Sequence, residues 1–98
     1  MAEKQPMVIQ ELLTGDKLGN NGLFARVTIF PGEELGYHEH HGETETYHII
    51  SGEGEYDDNG KKQFVSAGDT VFCPDGGGHG IRNTGKDDLI FIALIIKK

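Results

Sequence analysis

Three histidines and one glutamate in this chain have the types and spacing of metal ligands. His38 and His40 are one residue apart in a strand-like segment, so alternation would turn both imidazoles to one face, about 7 Å apart. Glu45 follows after a glycine, and His79 comes much later, just beyond Pro74 and three glycines. Such a set suits Mn, Fe, Co, Ni, Cu or Zn better than Ca or Mg. Taken alone, these residues are equally typical of a polar surface strand.

Five further residues carry side chains that could serve a site. Tyr47 shares its strand face with the glutamate and could hydrogen-bond a ligand, or it is a core tyrosine with a satisfied hydroxyl. Arg26 could anchor a substrate carboxylate if it points inward; the alternative is a surface ion pair. His41 and His48 are expected on the opposite, outer faces. Cys73 is expected to be a buried, inert thiol, because no acid–base partner for it is evident.

The elements that must position these residues are short strands. Fifteen glycines and three prolines interrupt the chain too often for long helices. Asn59-Gly60 between two strand-like runs predicts a hairpin. About nine strands at this spacing indicate a β-sandwich or barrel. The predicted strands are Met7–Leu13, Leu23–Phe30, Leu35–Glu39, Thr44–Ser51, Glu53–Asp57, Lys62–Ser66, Thr70–Cys73, His79–Asn83 and Leu89–Ile96.

Length and charge restrict the function classes. The 98 residues fit one domain, residues 1–98. A net charge of −7 without a basic stripe argues against nucleic acid as a partner. A single cysteine excludes an intramolecular disulfide, and no apolar run is long enough to span a membrane. Residues 1–5 do not resemble a signal peptide, so the cytoplasm is the expected location.

The last predicted strand, Leu89–Ile96, is apolar on both of its faces. A strand of this kind is usually buried on both sides, yet a small barrel has only one interior. We therefore predict that its outer face meets a second copy of the chain in a homodimer. The alternative is that a loop or the N-terminal strand of the same chain covers this face.

Two glycine- and proline-framed motifs resemble the signature motifs of the cupin superfamily. In the first, Gly32 and Gly52 enclose the first two histidines and the glutamate. The second contains Gly68, Pro74, Gly76, His79 and Asn83. Every defining position of both motifs is filled, and residues 53–67 form a short spacer between them.

The resemblance implies an all-β fold, a double-stranded β-helix or jelly-roll barrel. It also places His38, His40, Glu45 and His79 on the four metal-ligand positions of the family, which implies one divalent transition-metal ion per chain. The glycines and Asn83 fall on positions that shape turns and strand edges.

A divalent ion held by three neutral imidazoles and one carboxylate would keep a positive charge, and an octahedral ion would retain two open positions. Such a site suits a small anionic, oxygen-rich molecule. Three function classes remain open, and the first of them is favoured. The first is a small metalloenzyme, either an oxygenase or decarboxylase or an isomerase or lyase of sugar acids. The second is a non-catalytic ligand-binding or sensing module, and the third is a barrel braced by a structural metal.

Overall fold

The computed structural model describes residues 6–98, which fold into nine strands and one short helix. Each predicted strand is present with its ends within one residue of the prediction, which confirms the all-β class. The elements are β1 (Met7–Leu13), α1 (Gly15–Leu18), β2 (Leu23–Ile29), β3 (Glu34–Glu39), β4 (Glu43–Ser51), β5 (Glu53–Asp58), β6 (Lys61–Ser66), β7 (Thr70–Cys73), β8 (Gly78–Asn83) and β9 (Leu89–Lys97).

The strands form two antiparallel sheets. The five-stranded sheet has the order β1-β2-β9-β4-β7, and the four-stranded sheet has the order β3-β8-β5-β6. Strands that are neighbours in a sheet are often distant in the sequence, as β2 and β9 are. This is the double-stranded β-helix that the motifs imply.

Both sheets contribute side chains to one hydrophobic core. Alternation along each strand puts every second residue inside; on β2, for example, Ala25, Val27 and Ile29 are buried. The largest apolar side chains that are fully enclosed are those of Tyr47, Tyr56, Phe91, Ile29, Ile49 and Leu89. Burial of this apolar surface is the main stabilising contribution to the fold.

The Asn59-Gly60 turn forms the predicted hairpin between β5 and β6. Both residues have positive φ, 52° and 96°, which is the backbone conformation of the tight turns that join twisted antiparallel strands. The helix α1 was not predicted. It is a single turn, in which the amides of Lys17 and Leu18 donate to the carbonyl oxygen of Thr14, and it is too short to give a helical sequence pattern.

Strand β9 buries only one of its two apolar faces within the chain. Leu89, Phe91 and Ala93 are buried, whereas the alternate residues are half-buried and Ile96 is 55% exposed. β1 does not cover this outer face, because it lies in the same sheet, beside β2. Within residues 6–98, no helix is long and apolar enough to cross a membrane.

Candidate metal centre

The four predicted ligands meet in the interior, between β3 and β8 of one sheet and β4 of the other. One ligand atom from each of His38, His40, Glu45 and His79 lies within 4.8 Å of all the others. The Nε2 atoms of His40 and His79 are each 2.9 Å from Glu45 Oε1, and Nε2 of His38 is 3.7 Å from the same oxygen. The Nε2 atoms of the three imidazoles therefore converge on a single carboxylate oxygen.

Strand pairing and the glycine run bring these side chains together. His38 on β3 is directly opposite His79 on β8. His40 follows the end of β3, where its amide donates to the Gly77 carbonyl oxygen at 2.9 Å and its own carbonyl accepts from the Gly76 amide at 2.7 Å. The glycine segment before β8 thus fixes the backbone of the second histidine next to the strand that carries the third.

Each imidazole uses its other nitrogen, Nδ1, to contact a polar group outside the cluster. The partners are Gly36 O at 2.8 Å for His38, Tyr56 Oη at 2.8 Å for His79, and a carboxylate oxygen of Glu43 for His40. A carbonyl and a carboxylate can only accept, so the protons of His38 and His40 lie on Nδ1. Partners of this kind fix the tautomer and orientation of metal-binding histidines.

A cation would satisfy the atoms that face one another in the cluster. With the protons on Nδ1, the Nε2 lone pairs of His38 and His40 point toward the carboxylate of Glu45. The Nε2 atoms of His40 and His79 are only 3.0 Å apart. Lone pairs and a carboxylate turned toward one point repel one another unless positive charge lies among them. The side chains therefore fit a divalent transition metal, for which three imidazoles and one carboxylate are suitable ligands.

Glu45 is the negative charge of this cluster, and its environment keeps it ionised. Burial alone would raise the pKa of the Glu45 carboxyl, but the hydrogen bond from His79 and the charges that the three histidines carry when they are protonated outweigh it. Together they hold that pKa below its ordinary value. Glu45 is thus available as an anionic ligand down to moderately acidic pH.

Two neutral groups border the cluster. The ring of Tyr47 stacks on the imidazole of His79, with centroids 4.8 Å apart, and its hydroxyl lies 3.4 Å from His79 Nε2. Burial, followed by the charge of Glu45, raises the pKa of Tyr47 far above its ordinary value. Cys73 is buried opposite Glu45 on β7, and burial raises the pKa of its thiol. Cys73 is therefore the buried, protonated thiol that was expected.

The structure does not bring the remaining candidates to the cluster. Arg26 is exposed between the buried Ala25 and Val27, so it points out of the barrel, and the inward face on which its role as a substrate anchor depended is not observed. His41 is on the surface beside Glu39, and His48 is exposed next to Thr70, both as expected. Tyr47 is therefore the only one of the two proposed substrate contacts that lies at the cluster.

Two residues at the site were missed by the sequence analysis, Glu43 and Tyr56. Both hold the Nδ1 atom of a predicted ligand rather than contacting the centre of the cluster. Glu43 could have been found by strand parity, because it lies two residues before Glu45 on the same strand face. Tyr56 lies on the inward face of β5, directly opposite Ile81 on β8. Its hydroxyl contacts His79, which lies two residues before Ile81 on that strand.

A family model for the cupin domain matches residues 25–95 of the chain. The chain belongs to the cupin family. This confirms the resemblance that the two motifs carry. Among curated proteins, the chain is 44% identical over 94 residues to the oxalate-binding protein of Thermotoga maritima, covering 95% of this chain and 78% of the relative.

Solved cupin structures superpose closely on this fold. The crystal structure of a predicted oxalate decarboxylase from Thermotoga maritima has a TM-score of 0.91 at 43% identity, covering 94% of this chain and 81% of that one. A double-stranded β-helix protein from Klebsiella pneumoniae has a TM-score of 0.84 at 26% identity, covering 99% of this chain and 82% of that one. These matches confirm the double-stranded β-helix.

Proposed function

We propose that this chain holds one divalent transition-metal ion through His38, His40, Glu45 and His79 and binds a small oxygen-rich dianion beside it. The observation that carries the proposal is the convergence of three Nε2 atoms on Glu45 Oε1, with each Nδ1 atom held by a separate partner. The bound ion would supply a Lewis acid with a net positive charge, which attracts carboxylate oxygens.

The surroundings of the cluster favour a small molecule that enters from one side. The side chain of His38 is 33% exposed, whereas those of His40, Glu45 and His79 are 7% exposed or less. Solvent therefore reaches the cluster at His38, whereas the other three side chains are shielded from it. Tyr47 remains protonated at neutral pH and can donate a hydrogen bond to an anion at this place.

Oxalate is the first ligand to test, because the relative at 44% identity is called an oxalate-binding protein. We favour binding of the ligand without turnover over catalysis. Apart from the proposed ligands, Tyr47, Tyr56 and Cys73 lie next to the cluster, and the pKa of each is raised. These three groups hold their protons at neutral pH and are poor bases for proton abstraction. The carboxylate of Glu43 contacts Nδ1 of His40 rather than the centre of the cluster.

A metal-dependent decarboxylase or oxygenase is the second candidate. The observation in its favour is the fold neighbour at 43% identity, which is described as a predicted oxalate decarboxylase. Oxalate turnover by the metal-loaded protein, measured as release of carbon dioxide or formate, would place catalysis ahead of simple binding.

The test of dianion binding uses protein loaded with Co²⁺, whose visible spectrum reports changes at its ligands. Oxalate, an α-keto acid or a catechol should change that spectrum in the wild type and fail to do so in His38→Ala. A matched control is His41→Ala, which removes an imidazole from the adjacent exposed surface and should leave the response intact. A structural metal with a closed shell predicts no change with any of these ligands. A flat titration at millimolar ligand would therefore reject the proposal in favour of a bracing metal.

We further propose that the functional unit is a homodimer of single-domain chains. Apolar side chains on the outward face of the five-stranded sheet remain partly exposed, among them Ile50 at 48%, Phe72 at 53% and Ile96 at 55%. Exposed apolar surface of this extent on one sheet face is typical of an interface. Cytoplasmic location stays a prediction from the sequence.

A further inference from the structure

The three imidazoles of the cluster differ in what holds their outer nitrogen. His38 uses a backbone carbonyl and His79 a tyrosine hydroxyl, both of which are neutral. Only His40 has a carboxylate on Nδ1, that of Glu43. A carboxylate in this position polarises the imidazole, so that the lone pair of Nε2 binds a metal ion more strongly, and it also fixes the orientation of the ring. His40 is therefore the ligand whose strength depends on a charged neighbour.

Glu43 is itself held in place by the end of β9. Lys97 is the cross-strand partner of Glu43, and its Nζ lies 3.7 Å from Glu43 Oε1, while Oε2 contacts His40. The amide of Lys98 donates to the carbonyl oxygen of Gly42 at 2.8 Å, which fixes the two chain segments against each other. Each oxygen of the carboxylate thus has its own partner, one toward the surface and one toward the site.

Glu43 is also less exposed to solvent than an ordinary surface carboxylate. Its side chain is 18% exposed, and the side chain of His40 is 7% exposed. A second Glu–His pair provides the comparison: Glu39 and His41 are 3.3 Å apart, but their side chains are 59% and 72% exposed. Solvent screens the exposed pair, whereas the interaction between Glu43 and His40 is largely shielded from water.

We infer that Glu43, held by Lys97, is a positioning residue that orients and strengthens His40 as a metal ligand. The inference rests on the proposed metal binding and adds to it a residue outside the four ligands. Loss of an outer partner of this kind commonly reduces metal affinity about 10- to 100-fold. The same loss is expected for Glu43→Gln, which keeps the size and one accepting oxygen of the side chain but removes its charge.

The experiment measures zinc affinity by competition with a chelator and records the Nδ1 proton of His40 by NMR in the zinc-loaded protein. In Glu43→Gln, affinity should fall by at least about tenfold, and the His40 Nδ1 proton should move upfield, since an amide oxygen is a weaker acceptor than a carboxylate. Glu43→Asp should recover part of the affinity. The matched control Glu39→Gln should change neither quantity.

Lys97→Met tests the same inference without altering the carboxylate, so the experiment can still be done if Glu43→Gln does not fold. It should weaken zinc binding less than Glu43→Gln does and shift the same proton resonance. Wild-type affinity together with an unmoved His40 resonance in the folded variants would overturn the role of Glu43. Reduced affinity with an unmoved resonance would overturn it too, because the loss would then come from the fold. Failure of the wild type to bind zinc would instead reject the metal site itself.

Discussion

Replacing Tyr56 with phenylalanine isolates a single hydrogen bond to a proposed metal ligand. Tyr56 is 1% exposed, and its hydroxyl lies 2.8 Å from His79 Nδ1. The substitution removes one oxygen and leaves the ring, so the packing of the core changes little. It removes the hydrogen-bond partner of Nδ1 in the imidazole of His79, which is fully buried.

The cost of this substitution differs between the metal-free and metal-bound protein. Without metal, His79 can carry its proton on Nε2, where Glu45 Oε1 accepts it at 2.9 Å, so the loss is about 1 kcal/mol. When Nε2 binds an ion, the proton must lie on Nδ1, and in the variant it has no acceptor. An unsatisfied buried donor costs about 1–3 kcal/mol. The metal-bound state therefore loses about 1 kcal/mol more than the metal-free state at the middle of this range and about 2 kcal/mol more at its upper end, which corresponds to an affinity loss of about 5- to 27-fold.

Chelator competition measures the metal affinity, and denaturant unfolding of the metal-free protein measures the cost to the fold. Tyr47→Phe is the matched control, because it deletes a hydroxyl from a second buried tyrosine that contacts the same imidazole. That hydroxyl lies near Nε2, so Nδ1 keeps its partner, and the affinity loss should be much smaller. Equal metal affinity in Tyr56→Phe and the wild type would refute the reasoning, as would equal losses in the two variants.

Three further predictions concern the cluster and the assembly. His40→Ala and His79→Ala should each lose most of the metal while the barrel still folds; full metal content by elemental analysis in both would contradict the ligand assignment. Metal should be released between pH 7.5 and 5 in the presence of a mild chelator, because a free imidazole takes up a proton at a pKa of about 6.5. The lowered pKa of Glu45 keeps this carboxylate ionised over that range, so histidine protonation is the cause, and pH-independent retention would argue against histidine ligands. Sedimentation of a dilute sample should give a dimer, and a dominant species near the chain mass of 10.7 kDa would exclude it.

Strand alternation predicts that His38 and His40 share one face, but the full set of four proposed ligands depended on the resemblance of the two motifs to the cupin signature. Glu43 was missed for a specific reason. The predicted strand began at Thr44, one residue too late, so the face that Glu43 shares with Glu45 was not extended back to it. A boundary error of one residue has little effect on a fold assignment, yet here it concealed the residue that holds His40.

Contacts between strands that are distant in the sequence could not be predicted, for a different reason. The contact of Tyr56 with His79 depends on the register of β5 against β8, which no local pattern specifies. The orientation of Arg26 could not be predicted either. Its segment alternates too weakly to fix which face is inward, and the buried side of β2 is decided by its packing on the core that both sheets share.

The placement of the tyrosines puts two of them where a metal ion held by the four proposed ligands would change the fluorescence of the protein. The chain has three tyrosines and no tryptophan, so tyrosine dominates its emission. The rings of Tyr47 and Tyr56 lie 4.8 and 5.6 Å from the imidazole of His79, whereas Tyr37 is half-exposed on the outside of β3. A paramagnetic ion beside His79 would quench the two inner rings most strongly. The emission that persists at saturating metal would then come mainly from Tyr37.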